Sequence, residues 1–202
     1  SAFAGLLERH QSLRSCFTVD EQGEPYQSIQ PATGFAVDVA DISVLSRAEQ
    51  ESALDAARRA EVARHFDLSR DLLLSARLLK LGETEHQLLI TIHHIASDGW
   101  SMAILVREFC AFYGGQAALL PPLDIQYADY AHWQQTTQLP ELMASQLPYW
   151  ETQLADLPLV HNLPLDFPRP RLQSLNGARH LTLLDAGRVR ALTSFSQAEG
   201  AT

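Results

Sequence analysis

"LLITIHHIASDGWSM", residues 88–102, decides how the rest of the chain reads. Its first half is a run of strand formers. The run ends on His93 and His94, followed by a short polar turn and Asp98-Gly99. Side chains alternate across a strand. Leu89, Thr91 and His93 therefore share one face, and Leu88, Ile90, Ile92 and His94 the other. The two histidines cannot both face one pocket: one packs inward or supports the backbone, and the other is free to serve a cavity. Asp98 opens the next periodic segment, where a carboxylate accepts backbone N–H bonds or pairs with an arginine. Gly99 lets the backbone turn tightly or approach another group closely.

Working outward, "LLLSARLLKLGETEHQLLITIHH" reads as a hairpin, residues 72–81 and 86–93, turning at Gly82, with both strands apolar enough to be central. "DGWSMAILVREFCAFYGG" reads as a helix with Met102, Leu105, Val106, Phe109 and Phe112 on one side, ended by Gly114-Gly115. Upstream, "SLRSCFTV" and "EPYQSIQ" form two short strands around a turn at 20–23, and residues 35–39 are a weakly patterned third. "SRAEQESALDAARRAEVARHF" is a helix with Ser46 as N-cap and Glu49 completing a capping box. Downstream come two helices, "IQYADYAHWQQTTQ" and "PELMASQLPYWETQL", with Pro140 opening the second. A Pro-rich stretch, "LPLVHNLPLDFPRPR", should run extended over a surface. "ARHLTLL" reads as a final strand and "DAGRVRALTSF" as a final helix. The order is that of a mixed α/β chain whose strands and helices supply apolar faces enough to close a sheet-and-helix core. Both ends look cut: "SAFAGLLERHQSLR" begins already in helical rhythm, with Phe3, Leu6, Leu7 and His10 on one face.

Composition narrows the function classes. A chain of 202 residues suffices for one sizeable core. The net charge is -9, which argues against nucleic acid or an anionic membrane as partner. No run reaches the roughly 18 apolar residues of a membrane-spanning helix, and nothing resembles a signal peptide. Cys16 and Cys110 lie far apart without CxxC spacing and read as two reduced thiols of a cytosolic protein.

The chemistry-bearing residues also have plainer readings. A histidine at a strand end is more often structural than catalytic, and an aspartate before a helix is more often a cap than an acid. Adjacent strand histidines diverge, and no further ligand falls at metal spacing. Ser97 and Ser101 lack a nucleophile-elbow context. A histidine acting as base toward a bound nucleophile, with an aspartate fixing its loop, fits better.

"HHIASDGWS", residues 93–101, resembles the HHxxxDG signature of condensation domains of nonribosomal peptide synthetases. Further blocks follow in family order. "ERHQSLRSCF" is similar to the family's RHexLRTxF block and "YADYAHWQ" to its Y-x-D-[YF]-A-x-W block. "LPYWETQLADLP" is similar to its next helix and "LPLDFPRPRLQSLNG" to its crossover. Departures are modest: Gln11 stands for a usual glutamate, Ser15-Cys16 for threonine and a small or basic residue, and Phe167 for a common arginine.

The resemblance implies two chloramphenicol-acetyltransferase-like lobes in a V, each an α+β sandwich with a mixed β-sheet covered by helices, of which this chain matches most of the N-terminal one. Residues 1–177 would be that lobe without its first strand, and 178–202 the crossover strand and helix toward an absent C-terminal lobe. The implied reaction joins an acyl or peptidyl thioester on an upstream peptidyl carrier protein to the amine of an aminoacyl thioester on a downstream one. Substrates would hang on 4'-phosphopantetheine, with no cofactor or metal bound to the lobe. The implied partners are those carriers, a neighbouring adenylation domain and the second lobe, in the cytoplasm.

In the resemblance His94 is catalytic, taking a proton from the amine or holding the amine and the tetrahedral intermediate in place. Asp98 would pair with Arg14, Gly99 would permit close approach, and His93 would support the loop. Tyr127, Asp129 and Trp133 read as scaffold. Two rivals remain: an epimerisation domain of the same family, disfavoured because Trp100 precedes Ser101, and an inert module that binds a carrier protein. One lobe alone is expected to fold yet not to catalyse, since both thioester arms need two walls.

Overall fold

The computed structural model describes residues 2–158, 160, 163–172 and 180–201. They divide into two compact units, with the division between Gln153 and Leu154.

The first unit is built on helix α1 (Ala2–Arg9), which buries Phe3, Leu6 and Leu7. These three, with Leu13, Leu74, Ala76 and Leu105, form the core, and Phe35, Leu88, Ile92, Phe109 and Phe112 pack against it. A Cβ on Gly5 would fall on the Phe112 ring, so glycine is what lets α1 lie this close to α3 (Gly99–Tyr113). A buried ionic cluster joins the same two helices: Glu108 on α3 accepts from Arg9 Nε at 2.9 Å and meets His10 Nε2 at 2.6 Å.

Strands β1 (Ser15–Val19) and β2 (Pro25–Ile29) pair antiparallel. Asp20 Oδ1 fixes their turn by accepting from the backbone of Gln22 and Glu24, and Gly23 adopts a left-handed φ of 84°. The second sheet has the order β3-β4-β5. β3 (Asp38–Asp41) runs parallel to β4 (Leu74–Lys80), which pairs antiparallel with β5 (His86–Ile92).

The third strand lies a few residues beyond the expected 35–39. Phe35 instead packs 5.2 Å from the Phe3 ring. The register is fixed by charge: Asp38 lies opposite Arg77 and Asp41 opposite Lys80, with ion pairs of 2.7 and 2.9 Å. A second correction concerns β5. Only β4 is central; β5 lies at the edge of the described sheet, and its side chains are at most half-buried.

Helix α2 (Arg47–Val62) starts as expected, the Ser46 N–H donating to Glu49 Oε2 at 2.9 Å. Helices α4 (Tyr127–Trp133) and α5 (Leu139–Gln153) are continuous through a π turn at Gln134–Gln138, so Pro140 does not open a separate helix. The wider turn lets the Leu139 N–H donate to Gln134 O, five residues back, just before a proline that has no N–H to offer.

In the second unit residues 163–172 are irregular and exposed. Helix α6 (Ala186–Ala198) is capped by Asp185, which accepts from the Arg188 N–H at 3.0 Å. The strand expected at 178–184 is absent from its described part, 180–184. No described strand pairs with that segment, and an unpaired strand has nothing to satisfy its backbone. Residues 178 and 179, and the expected boundary at 177, lie outside the described residues.

Candidate active site on the turn between β5 and α3

β5 carries its ladder one residue beyond its end: the His93 N–H donates to Leu73 O at 3.0 Å. The chain then turns, with the Ala96 N–H returning to His93 O at 2.9 Å. The His93 ring stays inside this turn. Its Nδ1 accepts from the Ile95 N–H at 3.1 Å, and the ring meets Phe66 edge-on at 5.8 Å. His94 is therefore the first residue of the turn and not a strand residue. It is exposed, and no side-chain partner holds it among the described residues.

Two cavities meet at His94. The larger, about 650 Å³ and open to solvent, follows β5 from Leu88 to Ile92. α2 walls it with Arg58, Glu61 and Val62, and the start of α3 with Asp98, Gly99 and Met102. The smaller, about 230 Å³, lies between the same turn, Ser12 and Tyr127. Ser97 and Asp98 line both.

Asp98 is the N-cap of α3. Its Oδ1 accepts from the Ser101 N–H at 2.8 Å and the Ser101 hydroxyl at 2.7 Å. That hydroxyl, with the backbone N–H, holds the carboxyl below its ordinary range. The expected Asp98–Arg14 pair is not formed. Arg14 Nε donates to Leu7 O at 2.8 Å and Nη1 to Gln30 O at 2.5 Å, so the guanidinium is taken up by carbonyls at the end of α1 and after β2. Asp98 meanwhile is exposed and satisfied by its own helix. Gly99 shows no close approach: a Cβ there would meet nothing within 4 Å, and its φ is ordinary. Its missing side chain leaves the larger cavity open instead.

Tyr127 lines the smaller cavity, Asp129 accepts from the Gln126 N–H at 2.8 Å, and Trp133 packs 5.8 Å from Tyr130.

Three polar residues behind the site escaped sequence reasoning. Glu61 is buried on α2, where it accepts from Thr91 of β5 at 2.9 Å and from Arg64 at 3.0 and 3.1 Å. The Arg64 bonds hold its carboxyl low. Burial pushes the Glu108 carboxyl up, but bonds from His10 and Arg9 outweigh this and hold it low. Gln126 accepts from the Gln11 N–H at 3.1 Å and donates to Arg9 O at 3.0 Å, tying α4 to the segment after α1. A signal existed for the two glutamates. Glu61 follows Leu54 and Ala57, and Glu108 precedes Phe112, at helical spacing on otherwise apolar stripes.

With this geometry, comparison with known proteins defines the class. The family profile described as Condensation domain matches residues 1–202, and the chain belongs to that family. Malpinin synthetase of Mortierella alpina is 39% identical over 206 residues, covering 100% of this chain and 3% of that protein. Chondramide synthase cmdD of Chondromyces crocatus is 40% identical over 203 residues, 98% of this chain and 5% of that protein. Among solved structures, the X-domain from teicoplanin biosynthesis superposes with a TM-score of 0.82 at 31% identity, over 100% of this chain and 45% of that one. The chain thus spans a small fraction of these synthases and under half of the solved relative. The chloramphenicol-acetyltransferase-like lobe, two small sheets wrapped by helices, agrees with that relative.

Proposed function

We propose that the chain is the histidine-bearing lobe of an amide-forming condensation domain in a nonribosomal peptide synthetase. One observation carries the proposal: His94 stands exposed on the β5–α3 turn, where two cavities meet. Two openings onto one imidazole suit a reaction in which two tethered substrates must meet. An amine attacks a thioester carbonyl, the C–N bond forms, the carrier thiol leaves, and the amine gives up a proton. His94 accepts that proton or holds the amine against the carbonyl. His93, Asp98, Gly99 and Arg14 shape the turn and the segments beside it.

The substrates ride on the 4'-phosphopantetheine of upstream and downstream carrier proteins, with an adenylation domain as neighbour and the cytoplasm as compartment. In this reading residues 1–177 are the lobe and 178–202 lead toward a second lobe; the 45% coverage of a solved relative supports a domain larger than this chain. No described helix is long and apolar enough to cross a membrane.

The test is His94→Ala in a full-length condensation domain carrying these residues, with donor and acceptor carriers loaded and amide product followed by mass. The expected loss is about 100-fold or more. Near-normal turnover would remove His94 as the principal catalytic group. Inversion of an α-carbon without amide product would move the assignment to epimerisation.

A further inference from the structure

No step of the proposed reaction touches the ionic cluster of Glu108, Arg9 and His10, yet the cluster lies beside the site. His10 lines a third cavity, of about 100 Å³. Ser12, Ala96 and Ser101 are walls both of this cavity and of the smaller one at His94. Leu13, Ile104 and Leu105 complete it, and His94 does not line it.

The polar groups around this space are half spent. The Glu108 carboxylate only accepts, so His10 donates to it from Nε2 at 2.6 Å. In the neutral ring Nδ1 is then left as an acceptor, with no partner among the described residues. The Ser101 hydroxyl gives its proton to Asp98 Oδ1 at 2.7 Å, which leaves its oxygen as an acceptor too. The Ser12 hydroxyl has no partner among the described residues and can donate. Left dry, each of these groups would forfeit its hydration. Two acceptors and a donor around one space match a molecule that donates twice and accepts. Water does both, and the cavity exceeds the roughly 30 Å³ that one water takes in the liquid. No carboxylate lines the cavity to hold a cation in water's place. Resting on the condensation reading, we infer that ordered water in this third cavity links His10 to Ser101 and the Asp98 cap, and that His10 is thereby a positioning residue for His94. Glu108 and Arg9 anchor the ring, Arg9 being held in turn by its Nη2 bond to Pro121 O at 2.6 Å. The water carries the ring's position to the start of α3, where the turn bearing His94 ends.

Two substitutions separate the two ring nitrogens. His10→Gln places an amide nitrogen near the former Nε2, which keeps the bond to Glu108 and gives the water no acceptor. His10→Asn places an oxygen near the former Nδ1, which keeps that acceptor and gives up Glu108. In a full-length condensation domain carrying this lobe, the melting midpoint should fall more for His10→Asn than for His10→Gln. Amide formation, assayed well below both midpoints, should order them the other way. For His10→Gln kcat should fall about fivefold, the value of one hydrogen bond, and for His10→Asn it should stay within about twofold of wild type. KM for either carrier-bound substrate should hold within about twofold, because His10 lines neither cavity at His94. A residue that only holds the fold would lose kcat in the order of the midpoints. That result would overturn the inference while the His94 assignment stands.

A high-resolution crystal structure of the wild-type full-length domain reads the water without any variant. Density within hydrogen-bond reach of His10 Nδ1, Ser12 Oγ and Ser101 Oγ is the expected result, and a dry cavity would overturn the inference. A wild-type domain that forms no amide would overturn the condensation reading and the positioning role with it.

Discussion

Glu61 of α2 and Thr91 of β5 meet in a hydrogen bond of 2.9 Å from the threonine hydroxyl to a buried carboxylate. The bond joins the helix that walls the larger cavity to the strand that leads to His94. Thr91→Val keeps the β-branched shape and removes the donor. It should cost about 1 kcal/mol in urea unfolding, because Arg64 still satisfies Glu61. A loss within error would mean that the bond does not hold α2 against β5.

The two buried glutamates contribute to the acid limb. Glu61 and Glu108 have carboxyls held below their ordinary range in the folded chain. A depressed folded pKa adds stability above the unfolded value, about 4.3, and that stability is lost as pH falls through the folded value. Stability should therefore decline below about pH 4.5. Glu108→Gln should lower stability at neutral pH and make the acid decline shallower, since the titrating group is gone. Glu108→Ala, which takes the carboxylate away from the partly buried Arg9 and His10, should cost about 3 kcal/mol at pH 7. Parallel acid limbs for wild type and Glu108→Gln would contradict the account.

Arg14 and Asp98 should behave as strangers. Arg14 serves the Leu7 and Gln30 carbonyls, and Asp98 serves Ser101. In a double-mutant cycle with Arg14→Met and Asp98→Ala, the two losses should add without coupling beyond error. Asp98→Asn, an equally good helix cap, should recover most of the Asp98→Ala loss. Strong coupling would restore the ion pair that the family resemblance implied.

What the sequence made legible was local. The Ser46–Glu49 box, the 72–93 hairpin and the Asp98 start of α3 each rest on residues within a few positions of one another. The errors came where partners lie beyond the local pattern or where that pattern is silent. Nothing near Arg14 shows that carbonyls, rather than a carboxylate, will take its guanidinium. The apolarity of β5 suggested a central strand because period and composition report burial, and neither says how many strands stand alongside. Pro140 read as a helix start because the usual i−4 bond fails at proline. Sequence patterns carry no signal for a π turn that takes the helix past it. At the site, the histidine pair was visible, but the hydroxyls sharing its smaller cavity are scattered from Ser12 to Tyr127, with no motif to gather them.

The two histidines should separate stability from chemistry. His93 accepts the Ile95 N–H and packs against Phe66, so its ring holds the turn on which His94 stands. His93→Ala removes an acceptor and a ring contact and should cost about 1–2 kcal/mol. His93→Asn places an oxygen near the former Nδ1. It should recover the turn bond but not the Phe66 contact, and so fall between wild type and alanine. His94 has no side-chain partner among the described residues and is exposed, so His94→Ala should leave the unfolding midpoint where it was. Activity should order the same variants differently. His94→Ala should be lowest although it is as stable as wild type, and His93→Asn should exceed His93→Ala because turn geometry is what it restores. Unfolding curves and amide-forming assays on the same preparations of a full-length condensation domain decide the matter. A His94→Ala protein that melts as early as His93→Ala would show that the second histidine also holds the fold, and its loss of activity would no longer speak for chemistry.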